Sequence, residues 1–358
     1  SIMFGDDATG TISGANYNTG VGVDVFAALT TGDGNIAIGF TALDANTTGN
    51  HNTAIGTDAL GTNVTAHRNT AVGYEALKVS NVSGDTNASN TAVGFNAGVA
   101  TTTGKANVFI GSQTGDANTT GHYNTGVGLG ALGGNTTADS NTAVGYLALT
   151  TNSTGTLNTA VGVSALAANT TANSNTAVGS IALTANTTGA ANTAVGRNAL
   201  GANTTASNAV AVGHGALESN TIGHSNTAVG YQAAGTVTTG DENVAVGHGA
   251  LQSMAADNNG NTAVGTDAMA DTNYDGSYNT AVGYNALLQA ETISGTTAIG
   301  NQCLDALTTG DNNTAVGAGA LGAITTGGDN TAIGHSALAS TNHTRNMGIG
   351  YRALTAQS

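Results

Sequence analysis

The chain has 358 residues, of which 8% are charged and 4% aromatic, with 54 glycines, no proline and no tryptophan. Six Lys and Arg against 21 Asp and Glu leave a formal net charge of −15, too few cations to neutralise phosphates, which sets aside nucleic acid and an anionic membrane surface as partners. A single cysteine excludes an intrachain disulfide, and no apolar run approaches the roughly 20 residues of a membrane-spanning helix.

A glycine preceded by Val or Ile returns from Gly22 to Gly350, with Phe4 before the first copy at Gly5. Of the 20 intervals between these 21 glycines, 16 are 17 residues long. A short fixed period means one stacked unit, so residues 1–358 read as a single elongated domain. The chain starts at Ser1 without Met or signal peptide and stops in mid-pattern at Ser358, which reads as a piece of a longer protein.

The repeat is nearly complete at residues 175–191, NTAVGSIALTANTTGAA. Its Thr-Ala-Val-Gly opening is β-permissive and bounded by turn residues, which predicts a short strand. Ala-Leu follows as a second short strand or a bend. Asn-Thr-Thr-Gly then reads as the return loop, with Asn and Gly supplying positive φ. Gly, Asn and Thr at this density disfavour helix. The unit is about one coil of an all-β, parallel β-solenoid or β-roll of about 21 coils, a rod on the order of 100 Å long at the inter-strand spacing.

Within the strand, the residue before the repeat glycine is branched and the one two before it is Ala in 16 of 21 copies. This predicts one branched apolar face and one small face, both covered, with partner chains over the small face. A threefold bundle is the simplest closed way to do this. Asn stands four before the glycine in 18 of 21 copies, for example at Asn52, Asn69 and Asn90, a pattern for stacked side-chain ladders along the rod. The many Asn-x-Thr sequons admit glycosylation as the other use of asparagine.

Candidate functional residues are read where the pattern varies or skips. The interval from Gly73 to Gly94 is 21 residues and places four extra residues in the loop 78–89. Intervals of 18 precede Gly265 and Gly283 and lengthen loops 254–260 and 271–278. Such loops are candidate recognition elements, or neutral insertions. The position after the repeat glycine holds 7 of the 14 aromatics, namely Phe40, Tyr74, Phe95, Tyr146, Tyr231, Tyr284 and Tyr351. This file is a candidate surface for glycan or receptor, or a set of rings that stack over neighbouring coils and seal an edge. His214, His248 and His335 share the slot; two coils separate the first pair, too far for one ion within one chain. The acidic strings at residues 32–35, 240–243 and 310–313 admit calcium, or aspartates capping their own turns. Cys303 replaces a repeat Ala and reads as a core substitution. The pattern calls for no catalytic residue, cofactor or metal.

The strings NTAVGYEAL (69–77), NTAVGYNAL (279–287) and NTAIGHSAL (330–338) resemble repeats in the heads of trimeric autotransporter adhesins and, more closely, arrays in phage-type tail-fibre proteins. The likeness covers essentially the whole chain, although adhesin heads usually have a shorter coil, and neither a membrane anchor nor a self-cleaving chaperone domain stands in this sequence. It implies a left-handed homotrimeric fibre, extracellular on a cell surface or virion, that attaches to a host or prey surface. Uncapped coils at both ends admit end-to-end joining into a filament. The alternative function is an ice-binding β-solenoid, in which Thr three before the glycine forms ordered files, interrupted at Ile36, Val108, Val210 and Val244. A carbohydrate-cleaving β-helix needs clustered carboxylates that these scattered charges do not supply.

Overall fold

A computed structural model of the chain describes residues 2–4, 14–82, 87–254, 258–271, 274–339 and 342–355. The chain forms two compact units, Ser1–Ala177 and Val178–Ser358. The first carries ten three-residue strands, from β1 (Ile2–Phe4) to β10 (Thr159–Val161). The second carries ten more, from β12 (Thr193–Val195) to β21 (Met347–Ile349), and β11 (Thr176–Val178) holds the division. Within each unit every strand pairs in parallel with the next in the chain, like residue over like: Ala143 over Ala160 in the first, Ala211 over Ala228 in the second. Each unit is a parallel β-solenoid with the 17-residue period, and no helix occurs among the described residues.

The repeat glycine ends the strand because its backbone enters a region closed to other residues. In the described coils its φ lies between +123° and +144°. A Cβ on Gly145, at φ +138°, would lie 2.5 Å from the carbonyl oxygen of Gly162 one coil on. The glycines therefore stack backbone on backbone, and a side chain would push two coils apart.

After the glycine the chain turns twice in succession. In the coil that follows Gly128, Ala131 N donates to Gly128 O at 3.3 Å and Gly133 N to Gly130 O at 3.2 Å, one turn after the other. Ala-Leu therefore forms turns and no second strand. The positive φ expected in Asn-Thr-Thr-Gly is found elsewhere, at the second and fourth residues after the glycine and at the fifth before the next, as in Leu147 (53°), Leu149 (52°) and Leu157 (60°). A tight turn of this kind demands φ above zero at its third residue; of these leucines Leu149 is also fully buried.

The interior corrects the expected assignment of faces. The strand alanines are the buried ones: Ala143, Ala160, Ala194 and Ala228 are 0% exposed, packed with turn residues such as Ala148, Leu149, Ala199 and Leu200. The branched residues point outward, half-exposed. The space enclosed by a 17-residue coil is thin, so the chain's own turn covers the small face and no partner is needed there. Two asparagine ladders fill the remaining interior. Asn141 N donates to Asn124 Oδ1 at 3.0 Å, Asn141 Nδ2 to Gly155 O at 2.8 Å, and Asn158 N to Asn141 Oδ1 at 3.0 Å. In the second unit Asn243, Asn261 and Asn279 repeat this link at 2.9 to 3.0 Å. The loop asparagines make the second ladder, with Asn135 Nδ2 to Asn118 Oδ1 at 2.9 Å and Asn203 Nδ2 to Asn186 Oδ1 at 2.7 Å. The stack itself satisfies most of their buried amides; Asn63 Oδ1, Asn69 Nδ2 and Asn220 Oδ1 are left without a partner among the described residues.

Where one layer gains volume its neighbours lose it. Phe109 takes a strand-alanine position and is fully buried, and the flanking turns carry Gly98 and Gly115 where leucine is usual. A Cβ on Gly98 would lie 2.8 Å from the Phe109 ring. Tyr274, within the lengthened loop 271–278 and also fully buried, donates its hydroxyl to Asn261 Oδ1 at 2.8 Å and accepts from Asn279 Nδ2 at 2.6 Å. Burial pushes its pKa up.

Candidate recognition surface

Strand alternation places three ranks on the outer side of each unit: the threonine, the branched residue and the residue after the glycine. Val or Ile in the middle rank is 36% to 41% exposed, at Val21, Ile38, Ile55, Ile110 and Val144 in the first unit and at Val195, Val212, Val229, Ile299 and Ile333 in the second. Parallel pairing stacks them in register, so each unit presents a continuous apolar rank flanked by threonines, which are mostly half-buried.

The aromatic file lies beside that rank. Phe40, Tyr74, Phe95, Tyr146, Tyr231 and Tyr284 are 47% to 53% exposed, and Tyr351 72%. Neighbouring coils bring several rings face to face. Tyr74 stacks on Phe95 at 5.4 Å, Tyr351 on His335 at 5.5 Å, and Tyr231 lies between His214 and His248 at 5.4 and 5.3 Å. Among the described residues no ring stacks on Phe40, Tyr146 or Tyr284. The stacked rings lie over one another from coil to coil, as the edge-sealing reading expects, and remain about half-exposed. Arg197 Nη1 sits 3.1 Å from His214 Nε2, and Asp267 Oδ1 3.7 Å from His248 Nδ1, so this aromatic segment carries charge at both ends.

The acidic strings take up backbone donors. Asp33 Oδ1 accepts from Asn16 N at 2.6 Å, Asp241 Oδ1 from His224 N at 2.6 Å and Asp311 Oδ1 from Ser294 N at 2.8 Å. Each aspartate caps the coil before it, instead of its own turn. No group of three His, Cys, Asp or Glu converges on a metal-sized site among the described residues. The sequon asparagines Asn46, Asn135, Asn152 and Asn203 are fully buried in the loop ladder, where a sugar has no room. Cys303 is fully buried; its thiol donates to Ala315 O at 3.3 Å and burial pushes its pKa up to about 12. Thiolate chemistry is closed to it.

Of the three lengthened loops, parts lie outside the described residues: 83–86 in the first, 255–257 in the second and 272–273 in the third. Gly5 lies outside them as well. Two surface features escaped the reading by period. Tyr17, Tyr123 and Tyr278 are 67% to 86% exposed, each immediately before a ladder asparagine, a fixed offset visible in the sequence. The recess around His67 and Arg68 needed the folded coils to bring its residues together. No family model matches the chain, and no curated protein is significantly similar to it.

Proposed function

We propose that the chain is a non-catalytic structural and adhesive fibre segment, extracellular on a cell surface or virion, which assembles as a homotrimer and attaches to a host or prey surface glycan or receptor. The observation that carries this reading is the in-register rank of exposed Val and Ile on the outer sheet face of each unit. A continuous apolar strip of this kind is a surface to be covered, and copies of the same chain supply the matching period. The aromatic file beside it supplies stacking surfaces for sugar rings. The resemblance of the Asn-Thr-Ala-Val/Ile-Gly strings to tail-fibre and adhesin repeats supports the same reading. Sedimentation equilibrium tests the assembly: about three times 34.6 kDa is expected, and a monomer at micromolar concentration overturns it. Glycan-array binding of the purified chain tests attachment.

One observation favours the ice-binding alternative. Thr262, Thr280, Thr297, Thr314 and Thr331 run in register without interruption on the outer face of the second unit. A regular threonine file orders water, and thermal hysteresis of the purified chain decides the point: none removes the alternative.

A further inference from the structure

Three histidines, His67, His122 and His224, occupy the same place in the loop, six residues before the next repeat glycine in the chain. Each accepts on Nδ1 the backbone N–H of the residue one coil earlier: from Asn50 at 2.8 Å, Lys105 at 3.0 Å and Ser207 at 3.1 Å. That bond leaves the ring proton on Nε2. The three then differ. For His122 and His224 the next coil supplies an aspartate, Asp139 and Asp241, which accepts the histidine's own backbone N–H. His67 instead lies beside the 21-residue interval, bridged to Asn87, with Ala88 N donating to His67 O at 3.2 Å. It is 7% exposed, whereas the other two are half-buried or exposed. Val82 and Ala88 close over Ala66 behind it.

The longer loop thereby borders a recess of about 330 Å³ lined by Asn50, His51, His67, Arg68 and Asn87. Its volume lies at the lower end for small-ligand sites. Among the described residues the lining holds one guanidinium, two imidazoles and two amides and no carboxylate, in a chain with six Lys and Arg and net charge −15. Asp33, one coil before Asn50, donates its backbone N–H to Asn50 Oδ1 at 2.6 Å and accepts Asn16 N on its own Oδ1 at 2.6 Å. Asp58 and Glu75, further along the same coils, are engaged by Lys78 Nζ at 3.0 and 2.8 Å. Arg68 has no ion pair among the described residues. A guanidinium fork beside imidazole and amide donors matches an oxyanion.

We propose that this recess binds the oxyanion of a small ligand, a carboxylate on an acidic sugar or a phosphate, with Arg68 as the charged anchor and His67, Asn50 and Asn87 as neutral partners. The proposal holds whether or not the chain serves attachment. The test uses the full chain at constant ionic strength, with D-glucuronate followed by saturation-transfer NMR, inorganic phosphate by its ³¹P linewidth, and D-glucose as the neutral control. Expected is saturable binding of glucuronate, phosphate or both, and none of glucose; which of the two binds tells carboxylate from phosphate. Arg68→Gln, on an exposed side chain, and Asn87→Asp, which brings a negative charge to the lining, should each weaken binding at least about tenfold, as loss or opposition of a charged hydrogen bond does. Arg197→Gln, in the other unit, should leave it unchanged. Binding of neither anion, equal binding of glucose, or an effect of Arg197→Gln equal to that of Arg68→Gln overturns the proposal.

Discussion

At the residue scale the repeat contains two kinds of glycine that look alike in sequence. Gly145 has φ +138° and stacks on Gly162; Gly155, ten residues on, has ordinary φ, and its slot holds Ala at Ala138 and Ala172 in the adjacent coils. A Cβ on either glycine meets a carbonyl one coil on, Gly162 O at 2.5 Å and Ala172 O at 2.3 Å, so Gly145→Ala is expected to lower stability by about 1–3 kcal/mol more than Gly155→Ala, through the backbone strain that Gly155 does not carry, as read by urea unfolding. Phe109 offers a second comparison. Phe109→Ala should cost about 3–5 kcal/mol through the cavity it leaves. Adding Gly98→Leu and Gly115→Leu should recover most of that loss, because their φ of 60° and 57° is the conformation Leu60 and Leu77 already adopt. Asp44 carries the pH dependence. Burial is the main cause that raises its pKa above 3.8, and its Oδ1 has no hydrogen-bond partner. The folded state thus favours the protonated form, so the contribution of Asp44 is present below pH 3.8 and lost as pH rises through the raised value. Asp44→Asn should therefore melt higher than the parent at pH 7, with the difference vanishing near pH 3. The repeat glycines and their period were legible as letters; which glycine is obligatory was not, because that depends on the backbone angle the folded coil imposes at each one.

At the element scale the coil is held by its ladders more than by its three-residue strands. The strand-asparagine ladder breaks at Ala209, whose N–H still donates to Asn192 Oδ1 at 2.9 Å while no side chain at 209 receives the N–H of Asn226. At Thr296 the ladder continues through a hydroxyl, with Asn313 N donating to Thr296 Oγ1 at 3.3 Å. Ala209→Asn is expected to stabilise by about 0.5–1.5 kcal/mol, and Asn141→Ala to destabilise by about 1–3 kcal/mol because it strips acceptors from buried amides. Thermal melts of the two variants check the opposite signs. The strand asparagines were read correctly as ladder residues from their spacing. The loop asparagines were read as turn residues, since Asn suits both roles and only enclosure by the coil tells them apart.

At the scale of the whole molecule the decisive quantity is what covers the outer sheet faces. Val212 and Val229 are about as exposed as Ile38, in a rank that repeats through each unit. If copies of the chain pack there, Val212→Asp with Val229→Asp should shift the sedimenting mass from trimer to monomer. Far-UV circular dichroism should stay unchanged, because neither residue belongs to the interior. The expectation of partner chains arose from the alanine face, which the coil's own turn covers; the exposed strand face is the valine one.

The sequence by itself determined the period, the parallel stacking and the all-β class, because a side-chain pattern that recurs every 17 residues admits one register and keeps like residues over like. Only the tertiary structure decided which strand face is interior, where the left-handed residues fall and which side chains enclose the Arg68 recess. Those properties depend on how closely one coil approaches the next, and that distance is set by carbonyls, asparagine amides and ring volumes contributed from neighbouring repeats.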